Sequence, residues 1–230
     1  MGELRFGELE QSTPVQRTRE RVGGGELTQL RLATAGPAGK LGAVAPNWFV
    51  ALPVACALDL APFAPPPCVR LFAASDLHIT VAFLGPVSAE QAHAAFEAAC
   101  AFSLRPLQIS FGAIKALGPA HRPSAFSALL EQGRAEVEQS IGQIRNQICD
   151  AAGAARDLRP PLAHLTLARP RRSARPAERA QAMRWAESLV LPPVTAQLTQ
   201  IALYTWNADR SQTLFHVERA RTLTGEDNEL

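Results

Sequence analysis

The sequence predicts an α+β fold: a bilobal, duplicated arrangement in which two antiparallel sheets line a central cleft and the helices lie outside. Three observations predict it. The first is a repeated strand pattern, Asp76-Leu77-His78-Ile79-Thr80-Val81-Ala82-Phe83-Leu84-Gly85 and Leu162-Ala163-His164-Leu165-Thr166-Leu167-Ala168-Arg169-Pro170, with its two histidines 86 residues apart. The second is that a helical stretch follows each copy. The third is that the remaining strands are joined by hairpins or single helices, as in layered α+β proteins. Both copies run into β-branched and aliphatic residues and stop at a Gly or Pro breaker, which marks short strands. Side chains alternate faces along a strand. His78 and Thr80 therefore share one face, with Ile79 and Val81 behind them; His164 and Thr166 share another, with Leu165 and Leu167 behind. Each copy sets an imidazole and a hydroxyl about 6–7 Å apart along the chain. Two such copies in one chain suggest two halves that face each other.

The elements follow in order. Residues 1–45 carry charged residues, Gly23-Gly24-Gly25 and Gly36-Pro37-Ala38-Gly39 with little periodicity, and read as a disordered or loosely attached extension. Gly36 to Leu41 has two residues between its glycines and Leu41 after Lys40, so it lacks the spacing of a phosphate loop. The domain proper, 46–222, opens with the apolar strand Asn47 to Pro53. Val54 to Pro67 is Pro-rich and holds at most a short helix, and Val69 to Phe72 is a strand. After the first motif, Ser88 and Gln91 form a capping box for a helix reaching about Phe102. Leu107 toward Gly118 and Ser124 to Leu130 make a long hairpin about the turn Ala120 to Pro123. Glu136 to Ala151 is a helix with Val137, Ile141, Ile144 and Ile148 on one face, closed by Gly153. Beyond the second motif, Pro176 starts a helix to about Leu189. Thr195 to Tyr204 reads as one strand, Asn207 to Arg210 as a turn, Gln212 to Glu218 as the last strand, and 223–230 as a polar tail.

Composition narrows the class. The chain has 230 residues, 47% of them apolar, with a formal net charge of +2. That is enough for one substantial core and gives no general attraction for polyanions. The charge is unevenly spread: Arg156 to Arg184 holds eight arginines against Asp157 and Glu178, either a solvated basic segment or a rim that steers a phosphate-bearing substrate toward His164. The four cysteines, at 56, 68, 100 and 149, form no Cys-x-x-Cys pair and read as reduced thiols of a cytoplasmic protein. The apolar run Leu41 to Ala61 is interrupted by Pro46, Asn47, Pro53 and Asp59, so no membrane span is expected; nor is a signal peptide.

Two histidines on facing strands suit acid–base catalysis. One neutral imidazole takes a proton from an attacking oxygen, and the other, protonated, gives one to the leaving oxygen. Thr80 and Thr166 can donate to an anion held between them. No Asp or Glu cluster accompanies the motifs, so this reading calls for no metal. A lone His-x-Thr is usually a satisfied core histidine beside a strand-forming threonine; the second, matching copy carries the functional reading. A zinc site would need a third ligand such as His121 or Cys68, and neither has ligand spacing.

His78-Ile79-Thr80-Val81 with Phe83-Leu84-Gly85, and His164-Leu165-Thr166-Leu167 with Ala168-Arg169, resemble the two signature tetrapeptides of the two-histidine phosphoesterase superfamily. Within it they are most similar to the bacterial RNA 2',3'-cyclic phosphodiesterases, also called 2'-5' RNA ligases. The resemblance covers roughly residues 47–220, including Trp48 to Pro53 and Leu203-Tyr204. It implies a duplicated fold with the motifs facing across a cleft, and opening of an RNA terminal 2',3'-cyclic phosphate to a 2'-phosphate. It further implies His78 as proton donor, His164 as acceptor, Thr80, Thr166 and Arg169 as phosphate ligands, and no metal or cofactor. RNA with a cyclic phosphate end, or a cyclic nucleotide, is the implied partner of a monomeric enzyme that does not engage membranes. Some relatives join RNA ends through 2'-5' linkages. A nucleotide-binding module of the same fold and a phosphodiesterase of small cyclic nucleotides are the alternatives. The chain departs from the family in its Pro-rich segment before Val69, in its long extension, and in the hairpin around His121-Arg122.

Overall fold

A computed structural model describes residues 46–56, 58–101 and 105–224. The expected extension, 1–45, and all but the first two residues of the expected tail lie outside them. Nine strands and three helices occur among the described residues: β1 (Trp48–Pro53), β2 (Val69–Leu71), β3 (His78–Gly85), α1 (Ala89–Cys100), β4 (Leu107–Leu117), β5 (Ala125–Leu130), α2 (Arg134–Ala151), β6 (His164–Pro170), α3 (Pro176–Ser188), β7 (Thr195–Leu198), β8 (Gln200–Trp206) and β9 (Phe215–Thr222). They form two antiparallel sheets, ordered β3-β1-β8-β9 and β2-β6-β5-β4-β7. This is the expected α+β architecture.

The strand orders expose the duplication. In each sheet the motif strand pairs with a strand that precedes it in sequence, β1 beside β3 and β5 beside β6. Strands from elsewhere in the chain complete each sheet: β8 and β9 extend the first, and β2, β4 and β7 the second. The chain therefore passes more than once between the sheets. One such passage explains why Thr195 to Tyr204 is not one strand. The chain changes sheets at Thr199, so β7 pairs with β4 and β8 pairs with β1. Continuous β-propensity across that segment hid the switch, because propensity carries no information about which sheet a strand joins.

The faces separate as the alternation requires. Ile79, Val81, Leu165 and Leu167 are buried in the main core with Val50, Leu52, Ile201 and Leu203, and with the apolar faces of α1 (Ala92, Phe96) and α2 (Val137, Ile141, Ile144, Ile148). Helix α3 covers another cluster, where Ala182 and Ala186 meet Phe126, Val69 and Ala168. The capping box is present, with the Gln91 amide donating to Ser88 Oγ at 3.2 Å and the Ser88 amide to Gln91 Oε1 at 2.9 Å. The loop into α2 turns on Gly133, at φ 75°, where a Cβ would meet the Gln108 carbonyl oxygen at 2.7 Å. The Pro-rich stretch holds only a 3-10 turn, Ala61–Phe63. The last strand begins three residues later than expected and runs on to Thr222, and Leu223 is buried in the core. All four cysteines are free. No helix among the described residues is long and apolar enough to cross a membrane.

Candidate active site

Each motif histidine opens its strand, and each is held by the same local device. His78 Nδ1 lies 2.7 Å from the carbonyl oxygen of Asp76, and His164 Nδ1 lies 2.7 Å from that of Leu162. Since a carbonyl only accepts, both rings carry their proton on Nδ1, and Nε2 is left as the working nitrogen. Nε2 of neither ring is engaged by a described residue.

The surroundings of the two rings differ. His78 is buried in an aromatic box: Phe49, Tyr204 and Phe215 stand 4.9, 5.3 and 5.2 Å from it, centroid to centroid. Burial lowers its pKa to about 4 against the pull of the Asp76 carbonyl; the charges of Arg169 and His164 add to the depression. Phe215 is fixed from below, because the buried Asp76 carboxylate accepts the amides of Leu214 (2.8 Å) and Phe215 (3.1 Å). His164 is half-buried in the cleft wall, and its pKa is lowered by desolvation and then by Arg169. Strands β3 and β6 are in contact. Both imidazoles are therefore neutral at pH 7 in the free protein, one beside the other and both beside a guanidinium.

The threonines also differ. Thr80, opposite Ala51 on β1, lines the cleft and has no described partner. Thr166 is opposite Ser127 on β5, and its Oγ1 lies 3.2 Å from Ser127 Oγ. Ser127 is fully buried, so the pair is a dry hydroxyl contact beneath the second motif. Arg169 leaves the end of β6, and its guanidinium lies over the Phe72 ring at 5.4 Å. The cleft has a volume of about 490 Å³, within the range of small-molecule sites, and Thr80, His164, Thr166 and Arg169 lie in its wall. It continues past Phe83, which is 60% exposed, toward Arg145 and Arg159.

The structure thus groups His78, His164, Thr80, Thr166 and Arg169 at one place. The zinc candidates lie elsewhere: Cys68 donates to the Glu178 carbonyl at 3.3 Å, and His121 sits in the exposed turn before β5. No three His, Cys, Asp or Glu side chains converge among the described residues. Three of the eight arginines in the Arg-rich stretch pair with neighbouring carboxylates. Arg156 pairs with Asp150, Arg159 with Asp157 at 2.6 Å, and Arg175 with Glu178 at 3.2 Å. Ser127, Asp76 and Phe215 escaped the sequence reading. Ser127 could be found only from the β5–β6 register, and Asp76 only from the loop that brings Leu214 to it.

A family model described as the 2'-5' RNA ligase superfamily matches residues 60–210, which include both motifs. No curated protein matches the chain in sequence. Among solved structures the chain is similar to E. coli LigT complexed with 3'-AMP, at 22% identity over 78% of this chain and 99% of that one, with a TM-score of 0.55. It is similar to a protein described as a phosphoesterase, at 25% identity over 78% and 98%, with a TM-score of 0.55. A protein of Thermus thermophilus shares 19% identity over 78% and 99%, with a TM-score of 0.50.

Proposed function

The chain belongs to the 2'-5' RNA ligase superfamily, and from that premise we propose that it hydrolyses the 2',3'-cyclic phosphate end of RNA to a 2'-phosphate by two-histidine acid–base catalysis. The observation that carries this reading is the pair of Nδ1-anchored imidazoles with free Nε2 atoms on two contacting strands. The two similar structures described as a phosphoesterase and as a 3'-AMP complex are in keeping with it.

The reaction runs as an in-line displacement at phosphorus. His164 Nε2 takes a proton from water as the water oxygen bonds to phosphorus. The bond to O3' breaks, and His78 gives O3' a proton from Nε2. The phosphate remains on O2', His164 ends protonated and His78 neutral, and one proton returned through solvent resets the pair. Thr80 and Thr166 donate hydroxyl hydrogens to the non-bridging oxygens, and Arg169 adds positive charge. In the free protein a single proton on the pair favours His164, the more hydrated ring. The donor role of His78 therefore requires the substrate. A phosphodiester anion between the rings offsets Arg169, raises both pKa values and stabilises a proton on the buried ring. With an RNA 5'-hydroxyl in place of water as the nucleophile, the same groups would support 2'-5' ligation, O3' again leaving as the 3'-hydroxyl.

The test is product identification. An oligoribonucleotide with a 2',3'-cyclic phosphate end and the matching cyclic mononucleotides are incubated with the protein, with and without EDTA. A 2'-phosphate end, formed equally in chelator, is the expected result, because the two imidazoles and two hydroxyls complete the chemistry. A 3'-phosphate product, or activity lost in EDTA and restored by a divalent ion, contradicts it. Turnover of mononucleotides alone would favour the small-nucleotide enzyme, and tight binding without turnover the binding module.

A further inference from the structure

Beyond Arg169 the second-motif side of the site carries arginines that the proposed reaction leaves unused. Arg70 on β2 is the direct cross-strand partner of Arg169 on β6, so the two side chains share a face. Arg70 donates to the backbone carbonyl of Arg210, in the loop between β8 and β9. Arg210 lies over the Trp206 ring at 4.4 Å, and its Nε is buried without a hydrogen-bond partner. The charge of Arg172, just past β6, acts on both Arg169 and Arg210. None of these four arginines forms an ion pair with a carboxylate among the described residues. Asp76 is the carboxylate whose charge reaches Arg210, and its oxygens already accept the Leu214 and Phe215 amides.

Like charges placed opposite each other on paired strands are destabilising. A bound anion relieves that cost, and the planar guanidinium fork matches phosphate oxygens in particular. Arg169 bridges the two regions, since its charge acts on His78 and His164 while its side chain stands beside Arg70. We propose that Arg70, Arg172 and Arg210 form a second phosphate subsite that holds the internucleotide phosphate upstream of the reacting end, so that this chain selects an oligoribonucleotide over a mononucleotide. The proposal rests on the cyclic-phosphate reading above and names its substrate class.

Binding is measured without turnover, using a tetraribonucleotide with a 3'-phosphate and a 3'-mononucleotide as probes. The wild-type protein should bind the longer probe about tenfold more tightly. The slope of log Kd against log salt should steepen by about 0.7 for each added phosphate contact. Arg70→Gln and Arg210→Gln should collapse the preference while mononucleotide affinity moves little. Arg172→Gln changes an exposed side chain, so its loss of preference cannot be laid to misfolding. Equal affinities in the wild type, or a preference that survives in both Arg70→Gln and Arg172→Gln, overturns the subsite. A protein that prefers the longer probe in this arginine-dependent way but turns over neither cyclic substrate keeps the subsite and loses the hydrolytic reading.

Discussion

At the scale of single residues, the two halves of the site are chemically unequal although their motifs match. His78 sits in an aromatic box with its pKa lowered to about 4, whereas His164 faces the cleft. Catalysis needs one ring protonated and the other neutral, and the optimum of kcat/KM lies midway between the two macroscopic pKa values of the pair in the free protein. Both rings are depressed below 6.5, so that optimum should fall below pH 6.5, and kcat/KM should decline steadily from there to pH 8. A pH–rate profile with its optimum at or above about 7.5 would contradict the electrostatics. The same burial ties stability to pH. Between pH 6.5 and 4 the unfolded chain takes a proton on residue 78 that the folded chain refuses, so this group's contribution is full above pH 6.5 and lost as pH falls toward 4. Ser127 gives a second expectation at this scale. Ser127→Ala removes the partner of a buried hydroxyl, which should cost about 1 kcal/mol of stability. It should also lower turnover more than binding, read as a fall in kcat at nearly constant KM. The histidines and threonines were legible because their pattern repeats along the sequence, whereas Arg169, which aligns with Phe83 in the first copy, was singled out only by the family resemblance. Ser127 was not, because a serine in an apolar strand carries no signal until the register sets it against Thr166.

At the scale of elements, the motif strands are held by contacts far away in sequence. The turn before β3 places Asp76 so that its carboxylate accepts two amides at the start of β9, 138 and 139 residues later. Asp76→Ala strands those buried donors and should destabilise the fold by about 1–3 kcal/mol. It should also loosen Phe215, so that the His78 pKa, followed by NMR titration, moves up toward 6.5. An unchanged pKa would show that Phe49 and Tyr204 suffice to hold the ring. The capping box located α1, and periodicity located α2, which buries Val137, Ile141, Ile144 and Ile148. Periodicity failed at Thr199, where the chain passes between sheets with no Gly or Pro to punctuate it, and at the last strand, whose mostly exposed residues lack alternation.

At the scale of the molecule, two sheets with matching motif strands build one site, and each contributes an imidazole and a hydroxyl. Within the basic segment between Arg156 and Arg184, Arg156, Arg159 and Arg175 are held in local ion pairs. The cationic group near the site joins Arg169 and Arg172 of that segment to Arg70 on β2 and Arg210 in the β8–β9 loop, and no linear reading groups these last two with them. The described core runs from Trp48 to Leu223. Deleting residues 1–40 is therefore expected to leave the melting temperature and hydrolysis nearly unchanged, and a large fall in melting temperature would show that the segment packs on the domain. The central claim is that two histidines divide the proton transfers between them, and a change of leaving group tests it most directly. His78→Ala and His164→Ala are each assayed on the cyclic-phosphate oligonucleotide and on a nitrophenyl phosphodiester, whose leaving oxygen needs little protonation. On the natural substrate both should lose roughly 10²–10⁴ in rate. On the nitrophenyl ester His78→Ala should recover most of its activity while His164→Ala stays inactive. The opposite pattern would reverse the donor and acceptor roles, and equal, mild losses on both substrates with nucleotide binding intact would contradict two-histidine catalysis.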